Sequence, residues 1–330
     1  MEEAPLLEVR DLVVSVGGGA LRLVDGVGFD VPVSTMTALV GESGSGKSLT
    51  AQAILGLLDP AVYTVEASAI AFEGKPLSLQ RGRAPKGFHG EATGFVMQDP
   101  SSALDPTMTI GKQIAEMFLV HRGMGMRSSL AEAARMLDLV RIPNAAGRLG
   151  DYPHQFSGGM KQRVLIAIAV ALKPKLLVAD EPTTALDVTV QADILLLLDD
   201  LRREFGMAVL IITHDFGLVY QCADRVMVMY AGRLVEAGLT EAVTTRGLHP
   251  YTRGLIASIP DVDAIDERVV AIPGQPPRAG DNWAGRCAFA PRCGFTVPRC
   301  RAQTPRIERP LPGSAVRCFE WSRVAAEGRA

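Results

Sequence analysis

Met36-Thr37-Ala38-Leu39-Val40-Gly41-Glu42-Ser43-Gly44-Ser45-Gly46-Lys47-Ser48 reads as a short apolar strand that enters a glycine-rich turn and leaves it as the helical stretch Ser48–Leu57. Strand, turn and helix in that order make a phosphate-binding loop. The glycines let successive backbone N–H groups curl toward phosphate oxygens, and the helix N-terminus adds its positive dipole end. Lys47 is expected to reach the β- and γ-phosphates and Ser48 to bind Mg²⁺, with Gly41, Ser43, Gly44, Ser45, Gly46 and Leu49 completing the ATP-binding set. A Gly/Ser-rich surface turn with a chance lysine would need neither the strand before it nor the helix after it.

Phosphate chemistry also needs a carboxylate to hold the metal and another to orient the attacking water. Leu176-Leu177-Val178-Ala179-Asp180-Glu181 supplies both at the end of an apolar run. Asp180 is expected beside Mg²⁺ and Glu181 beside the γ-phosphate as general base. On its own an Asp-Glu pair after a strand is as well read as an exposed turn; the phosphate loop decides between the two.

Outward from these motifs, Leu6–Val14 and Phe29–Val33 alternate as β-strands around the loop Gly17-Gly18-Gly19, an antiparallel β edge to the core. Gly94–Met97, Leu176–Ala179, Ala208–Thr213 and Arg225–Tyr230 are strand-like and Val188–Phe205 is helical, the alternation of a parallel α/β sheet. Between Thr109 and Gly150 apolar residues recur at helical spacing, with breaks at Gly123–Gly125 and Pro143, which predicts a helical subdomain over about residues 107–160. The fold class is α/β, a phosphate-loop NTPase core over residues 1–260 followed by a small loop-rich C-terminal module over 261–330. Tyr251–Ser258 is helical, and after Pro260 Pro and Gly become frequent.

The 330 residues carry 48% hydrophobic and 21% charged side chains, a globular composition. A net charge of -2 offers no general attraction to nucleic acid, which is not expected as a partner. Apolar runs such as Val164–Leu172 fall short of the roughly 20 residues that span a bilayer. Met1-Glu2-Glu3 lacks the basic start and apolar stretch of a secretory signal, so the reading expects a cytosolic chain.

Phe156-Ser157-Gly158-Gly159-Met160-Lys161-Gln162 narrows the class, because it resembles the signature sequence of ATP-binding-cassette (ABC) ATPases, with Phe156 where Leu is commoner. A Ser-Gly-Gly at a helix start is a second anion-binding terminus. The resemblance implies that Ser157, Gly158, Gly159 and Gln162 act in trans on the γ-phosphate held by another subunit. In the family's order, Gln98 resembles the Q-loop glutamine that contacts Mg²⁺ or the lytic water, Asp187 in Ala185-Leu186-Asp187 the D-loop, and His214 the switch histidine at the γ-phosphate. The family places an aromatic ring against adenine after the first strand; here that position is Val16, so adenine is held more weakly or a neighbouring residue substitutes.

Gln98-Asp99-Pro100, Leu104-Asp105-Pro106, Pro182–Gln191, His249-Pro250-Tyr251-Thr252 and Ile272-Pro273-Gly274-Gln275-Pro276-Pro277 are similar to the oligopeptide/dipeptide importer branch. The resemblance implies an ATP-hydrolysing subunit at the cytoplasmic face of the inner membrane. Its partners would be a second, homologous ATPase subunit as heterodimer partner, two transmembrane permease subunits and an extracytoplasmic substrate-binding protein. The region after Gln98 and the helical insert would receive the permease's cytoplasmic helices. Nickel or another small solute is an alternative cargo. A soluble cassette ATPase of DNA repair or translation would carry two cassettes or a long coiled coil, and neither is visible.

The tail has its own chemistry. Ala284–Arg323 holds eight Arg, no Lys and two acidic residues, and four of the chain's five cysteines, Cys287, Cys293, Cys300 and Cys318, lie within it. So little apolar material needs a metal or docking onto the core to fold. Four thiolates suit a [4Fe–4S] cluster or tetrahedral zinc, and the wide spacing fits poorly with paired CxxC knuckles. Members of the resembled branch carry an iron–sulfur cluster here, which implies iron; zinc, free thiols and a purely regulatory or interaction module stay open. Cys222, in a helical stretch, reads as an ordinary thiol.

Overall fold

In the computed structural model, which describes residues 4–78, 84–259, 271–278, 281 and 283–327, the apolar alternation near the start forms β1 (Leu7–Val16) and β2 (Leu21–Val31). All five residues of β3 (Met36–Val40) are buried, and α1 (Lys47–Leu55) follows the glycine turn. Next come β4 (Tyr63–Glu66), β5 (Ala69–Phe72), β6 (Lys75–Pro76) and β7 (Thr93–Val96). The helices α2 (Pro100–Ala103), α3 (Ile110–Arg122), α4 (Met126–Leu139) and α5 (Gly158–Val170) precede β8 (Leu176–Asp180). Then α6 (Val188–Phe205), β9 (Ala208–Thr213), α7 (Phe216–Cys222), β10 (Arg225–Tyr230) and β11 (Arg233–Leu239) alternate. The chain ends with α8 (Thr240–Arg246), α9 (Pro250–Ala257), α10 (Pro298–Ala302), β12 (Ala315–Val316) and α11 (Trp321–Glu327).

These elements form two compact units, the first from Met1–Val31, Thr37–Arg83 and Thr213–Ala330, the second from Pro32–Met36 and Ala84–Ile212. In the first, β2, β1, β5 and β6 make an antiparallel sheet to which β4 adds by pairing with β1. A second set of strands runs β12-β11-β10-β3, parallel between β3 and β10 and antiparallel elsewhere. Strand β2 is longer than the expected Phe29–Val33. Gly26 at φ 66° and the register shifts against β1 interrupt the alternation of Leu21–Val27 that would reveal it.

The tail belongs to this first unit. Its β12 pairs with β11, Glu236 opposite Val316, and Arg317 N donates to Val235 O at 2.8 Å. Leu248, Val316 and Cys318 form a buried cluster against which Trp321 and Ala325 pack. Docking thus supplies the apolar burial that the tail's own composition lacks. A two-residue strand is too short to show a period, which is why the sequence reading missed it. The expected boundary at residues 260 and 261 lies outside the described residues.

In the second unit β7, β8 and β9 are parallel. Every residue of β8 and β9 is buried, the mark of strands covered on both faces. The stretch expected to be helical resolves into α3 and α4, broken by Gly123 in the left-handed region, and a 3₁₀ turn at Ala145–Arg148. Among the described residues no helix is long and apolar enough to cross a membrane.

Candidate functional site

In the first unit, β3 delivers the chain into Gly41–Gly46 and α1 begins at Lys47, with Gly46 at φ 101° as its N-cap. A Cβ on Gly41 would sit 2.2 Å from Met229 O, so the turn can pass β10 only without a side chain. Lys47 is 4% exposed and its Nζ donates to Gly41 O at 2.8 Å and Glu42 O at 3.1 Å. The ammonium thus rests on the loop's own carbonyls, a position from which it can swing to a phosphate. Ser45 Oγ is buried without a hydrogen-bond partner, while Ser48 is half-buried one residue into the helix.

Val16 ends β1 directly opposite Tyr63 of β4. Opposed residues of an antiparallel pair share a face, their Cβ atoms about 4.5–5.5 Å apart. Val14, opposite Val24 and Val65, lies on that face one rung inward, and a Cβ on Gly46 would come within 3.4 Å of Val24 Cγ2. The half-buried Val16 and Tyr63 therefore sit one rung out from side chains packed on the phosphate loop. Tyr63 was not singled out from sequence; only the strand register finds it. His214, after β9, is exposed, and Asp215 beside it caps α7 by accepting from Gly217 N at 2.8 Å and Leu218 N at 3.2 Å.

In the second unit, Asp180 closes β8 at 3% exposure and Glu181 follows at φ 45°, its N–H donating to Ile212 O at 2.9 Å. This left-handed turn carries the Glu181 side chain away from the strand line. Its Oε2 accepts from Gln98 Nε2 at 2.9 Å and from Thr184 Oγ1 at 2.8 Å. Gln98 and Glu181, 83 positions apart, are thereby brought together; Thr184 is a partner the sequence did not nominate.

Ser157 caps α5 by accepting from Met160 N at 3.4 Å, and Ser157 and Gly158 are exposed, so this helix N-terminus opens to solvent. A Cβ on Gly159 would lie 2.7 Å from Val190 Cγ1, so the bare glycine lets α5 approach α6. Asp187 caps α6 through Val190 N at 2.9 Å. Gln162 points inward, 1% exposed, its Nε2 without a partner.

A family model described as "ABC transporter" matches residues 24–184, which contain the phosphate loop, Gln98, Ser157–Gly159 and Asp180–Glu181. A second, "Oligopeptide/dipeptide transporter, C-terminal region", matches residues 235–300. An oligopeptide transport ATP-binding protein of Haemophilus influenzae is 46% identical over 90% of this chain and 92% of its own. A dipeptide transport ATP-binding protein of Bacillus subtilis is 43% identical over 94% and 91%. This chain belongs to the ABC transporter ATPase family, in its oligopeptide/dipeptide branch. Among solved structures, cbiO1 of Clostridium perfringens, part of an ABC transporter complex, aligns with TM-score 0.62 and 28% identity, over 73% of this chain and 91% of that one.

The tail of this ABC protein, part of which the branch's C-terminal model matches, encloses a small cavity. Cys287, Cys293, Cys300 and Cys318 all line it, together with His249 and Phe289. Burial pushes Cys287 up to about 11 and Cys318 up to about 12, and raises Cys293, so without a cation these thiols keep their protons at neutral pH. Yet among the described residues no group of three or more His, Cys, Asp or Glu is gathered tightly enough to hold a metal ion. Neither a site for the expected [4Fe–4S] cluster nor one for its zinc alternative is thus found among the described residues; the four thiols line one cavity and nothing more specific.

Two further residues here escaped the sequence reading. Arg292, between Cys287 and Cys293, is 8% exposed and reaches Glu42 of the phosphate loop. Tyr251, fully buried, accepts a hydrogen bond from Glu42 N at 2.8 Å through its hydroxyl. Tyr251 lies in a stretch that identified the branch, and the distance of both residues from the loop in sequence hid their contact with it.

Proposed function

We propose that this chain is the ATP-hydrolysing subunit of a peptide importer, held at the cytoplasmic face of the cell membrane. The observation that carries the hydrolytic reading is the Glu181 carboxylate held by two neutral donors, Gln98 and Thr184. A carboxylate so oriented is suited to accept a proton from water. In this reading Glu181 is the general base, Lys47 binds the β- and γ-phosphates, and His214 contacts the γ-phosphate. Gly41 and Ser43–Leu49 cradle the triphosphate with backbone N–H groups. The exposed terminus Ser157–Gly159 serves the nucleotide of a second subunit, with Gln162 behind it and Asp187 at the shared interface.

Ser48, Asp180 and Gln98 would hold Mg²⁺: hydroxyl, carboxylate and amide oxygens are the hard donors that ion takes. Gln98 spends its amide nitrogen on Glu181, which leaves its carbonyl oxygen for the metal. When bound, the ion neutralises charge on the β- and γ-phosphates. The ring of Tyr63, opposite Val16, takes the aromatic role that Val16 cannot play against adenine.

The names of the relatives, together with the match of the C-terminal region, support peptides as cargo. Partners in this reading are a second, homologous ATPase subunit, two permease subunits and an extracytoplasmic binding protein. Met97, Val120 and Met126 are apolar yet exposed in the second unit and support permease docking there.

The four thiols hold a [4Fe–4S] cluster in this reading. Cys₄ is a donor set that such clusters use, and a cube spreads its ligands around a cavity where one zinc ion would gather them. The protein purified anaerobically should be brown and carry iron and sulfide that Cys293→Ser removes; a colourless protein with neither would refute the cluster.

Function is tested in membranes holding the permease, with the ATPase rate followed as binding protein loaded with candidate peptides is added. The expected result is peptide-dependent stimulation that Glu181→Gln abolishes. A robust rate that ignores both permease and peptide would remove the importer assignment.

A further inference from the structure

Glu42 is the one charged residue of the phosphate loop with no role in binding phosphate, and a carboxylate there would repel the triphosphate. Its two oxygens are taken by Arg292 of the tail. Arg292 Nη1 donates to Glu42 Oε2 at 2.7 Å and Nη2 to Glu42 Oε1 at 2.9 Å, a bidentate fork. The rest of the guanidinium is engaged too: Nε donates to Pro273 O at 2.8 Å, Nη1 to Tyr230 Oη at 3.3 Å and Nη2 to Ile272 O at 3.5 Å. With every donor direction used, the guanidinium plane has one resting place.

We infer that Arg292 is a positioning residue for the nucleotide site: it neutralises and anchors Glu42, and through it the cysteine-bearing tail sets the affinity of the phosphate loop for MgATP. This rests on the reading of Gly41–Ser48 as an ATP site. The anchor holds both ends of the residue, since Glu42 N donates to the buried Tyr251 hydroxyl at 2.8 Å. It bears on the phosphate ligand as well, because Lys47 Nζ rests on Glu42 O. The tail side is equally firm. Phe289, three residues before Arg292, packs against Tyr230 with ring centroids 5.2 Å apart and against Tyr251 at 5.4 Å. Cys293, one residue after Arg292, lines the four-thiol cavity, so a change in that cavity reaches Arg292 across a single peptide bond and the loop through its guanidinium.

A purely structural clasp and a positioning clasp predict different double variants. Affinity for MgATP is measured on the full-length chain by calorimetry for wild type, Arg292→Met, Glu42→Gln and the pair together, with thermal melts reporting folding. Arg292→Met strands a carboxylate beside the phosphates and should weaken MgATP about tenfold, less at high salt. Adding Glu42→Gln removes that charge and should bring affinity back to within about threefold of wild type, although it restores none of the clasp's packing. Arg292→Met within twofold of wild type, or a double variant as weak as Arg292→Met, overturns the inference. Where Arg292→Met does not fold alone, recovery of a folded, ATP-binding protein on adding Glu42→Gln supports it, and no recovery overturns it. Wild-type protein that binds no MgATP would sink the nucleotide-site reading itself, an outcome distinct from wild-type binding that ignores Arg292.

Discussion

Gln98 Nε2 and Thr184 Oγ1 donate to the same oxygen of Glu181, Oε2, at 2.9 and 2.8 Å. Two donors on one oxygen restrict how the carboxylate can turn. Gln98→Ala and Thr184→Val should each lower kcat for ATP roughly 10- to 30-fold, the loss expected for one hydrogen bond to a charged group. The KM for ATP should move less than about twofold, because the bonds orient the base and do not bind substrate. Steady-state kinetics on the assembled transporter decides; unchanged kcat in both variants would show that the pair is incidental.

Lys47 Nζ donates to Gly41 O and Glu42 O, contacts with the loop's own backbone that it exchanges when it turns to a phosphate. Replacement by Met keeps the buried aliphatic stem and removes only the ammonium. Affinity for MgATP should fall by about 10- to 100-fold, the range for a charge-assisted contact, with the melting temperature little changed. A Lys47→Met protein that keeps wild-type affinity would contradict the assignment of the loop.

The nucleotide loop was legible because strand, turn and helix each leave a local mark, and Lys47 sits at their junction. Helix α6 was read to its ends for the same reason: Asp187 caps its start and Gly206, in the left-handed region, terminates it. The Arg292–Glu42 clasp was not legible. Its partners lie 250 positions apart, and neither residue type at its own place implies the other. Tyr63 was hidden in a milder way, since β4 is four residues long and only its register against β1 sets the ring beside Val16. The four cysteines line one cavity, but spacing alone carries no distance between thiols.

The Tyr63 ring, as the base platform, is worth about 1–3 kcal/mol by the usual cost of removing a stacked aromatic. Tyr63→Ala should raise the Kd for ATP by about fivefold or more while leaving inorganic triphosphate binding unchanged, since only the base is affected. Val16→Tyr in that background places a ring on the opposite strand and should restore ATP binding. Titration with both ligands separates the cases: equal losses for ATP and triphosphate would mean that Tyr63 shapes the loop and does not touch the base.

His249 connects burial to pH. Its imidazole is 1% exposed, caps α9 by accepting from Tyr251 N at 3.0 Å through Nδ1, and is pulled down to about 3 by burial. The unfolded chain takes up this proton near pH 6.5 and the folded chain does so only near 3, so the unfolded state binds more protons throughout that window. Stability is therefore fully present above pH 6.5 and falls on acidification, by up to about 1.4 kcal/mol per pH unit from this group. Glu236 works in the opposite sense: burial raises its carboxyl, so its contribution is full at low pH and is lost as pH rises through the folded value. That contribution is common to wild type and His249→Asn, which keeps a side-chain acceptor for the cap and has no proton to gain. Urea unfolding at pH 7.5, 6 and 5 should show the two proteins converging as pH falls, and parallel lines across that range would remove His249 as the source of acid sensitivity.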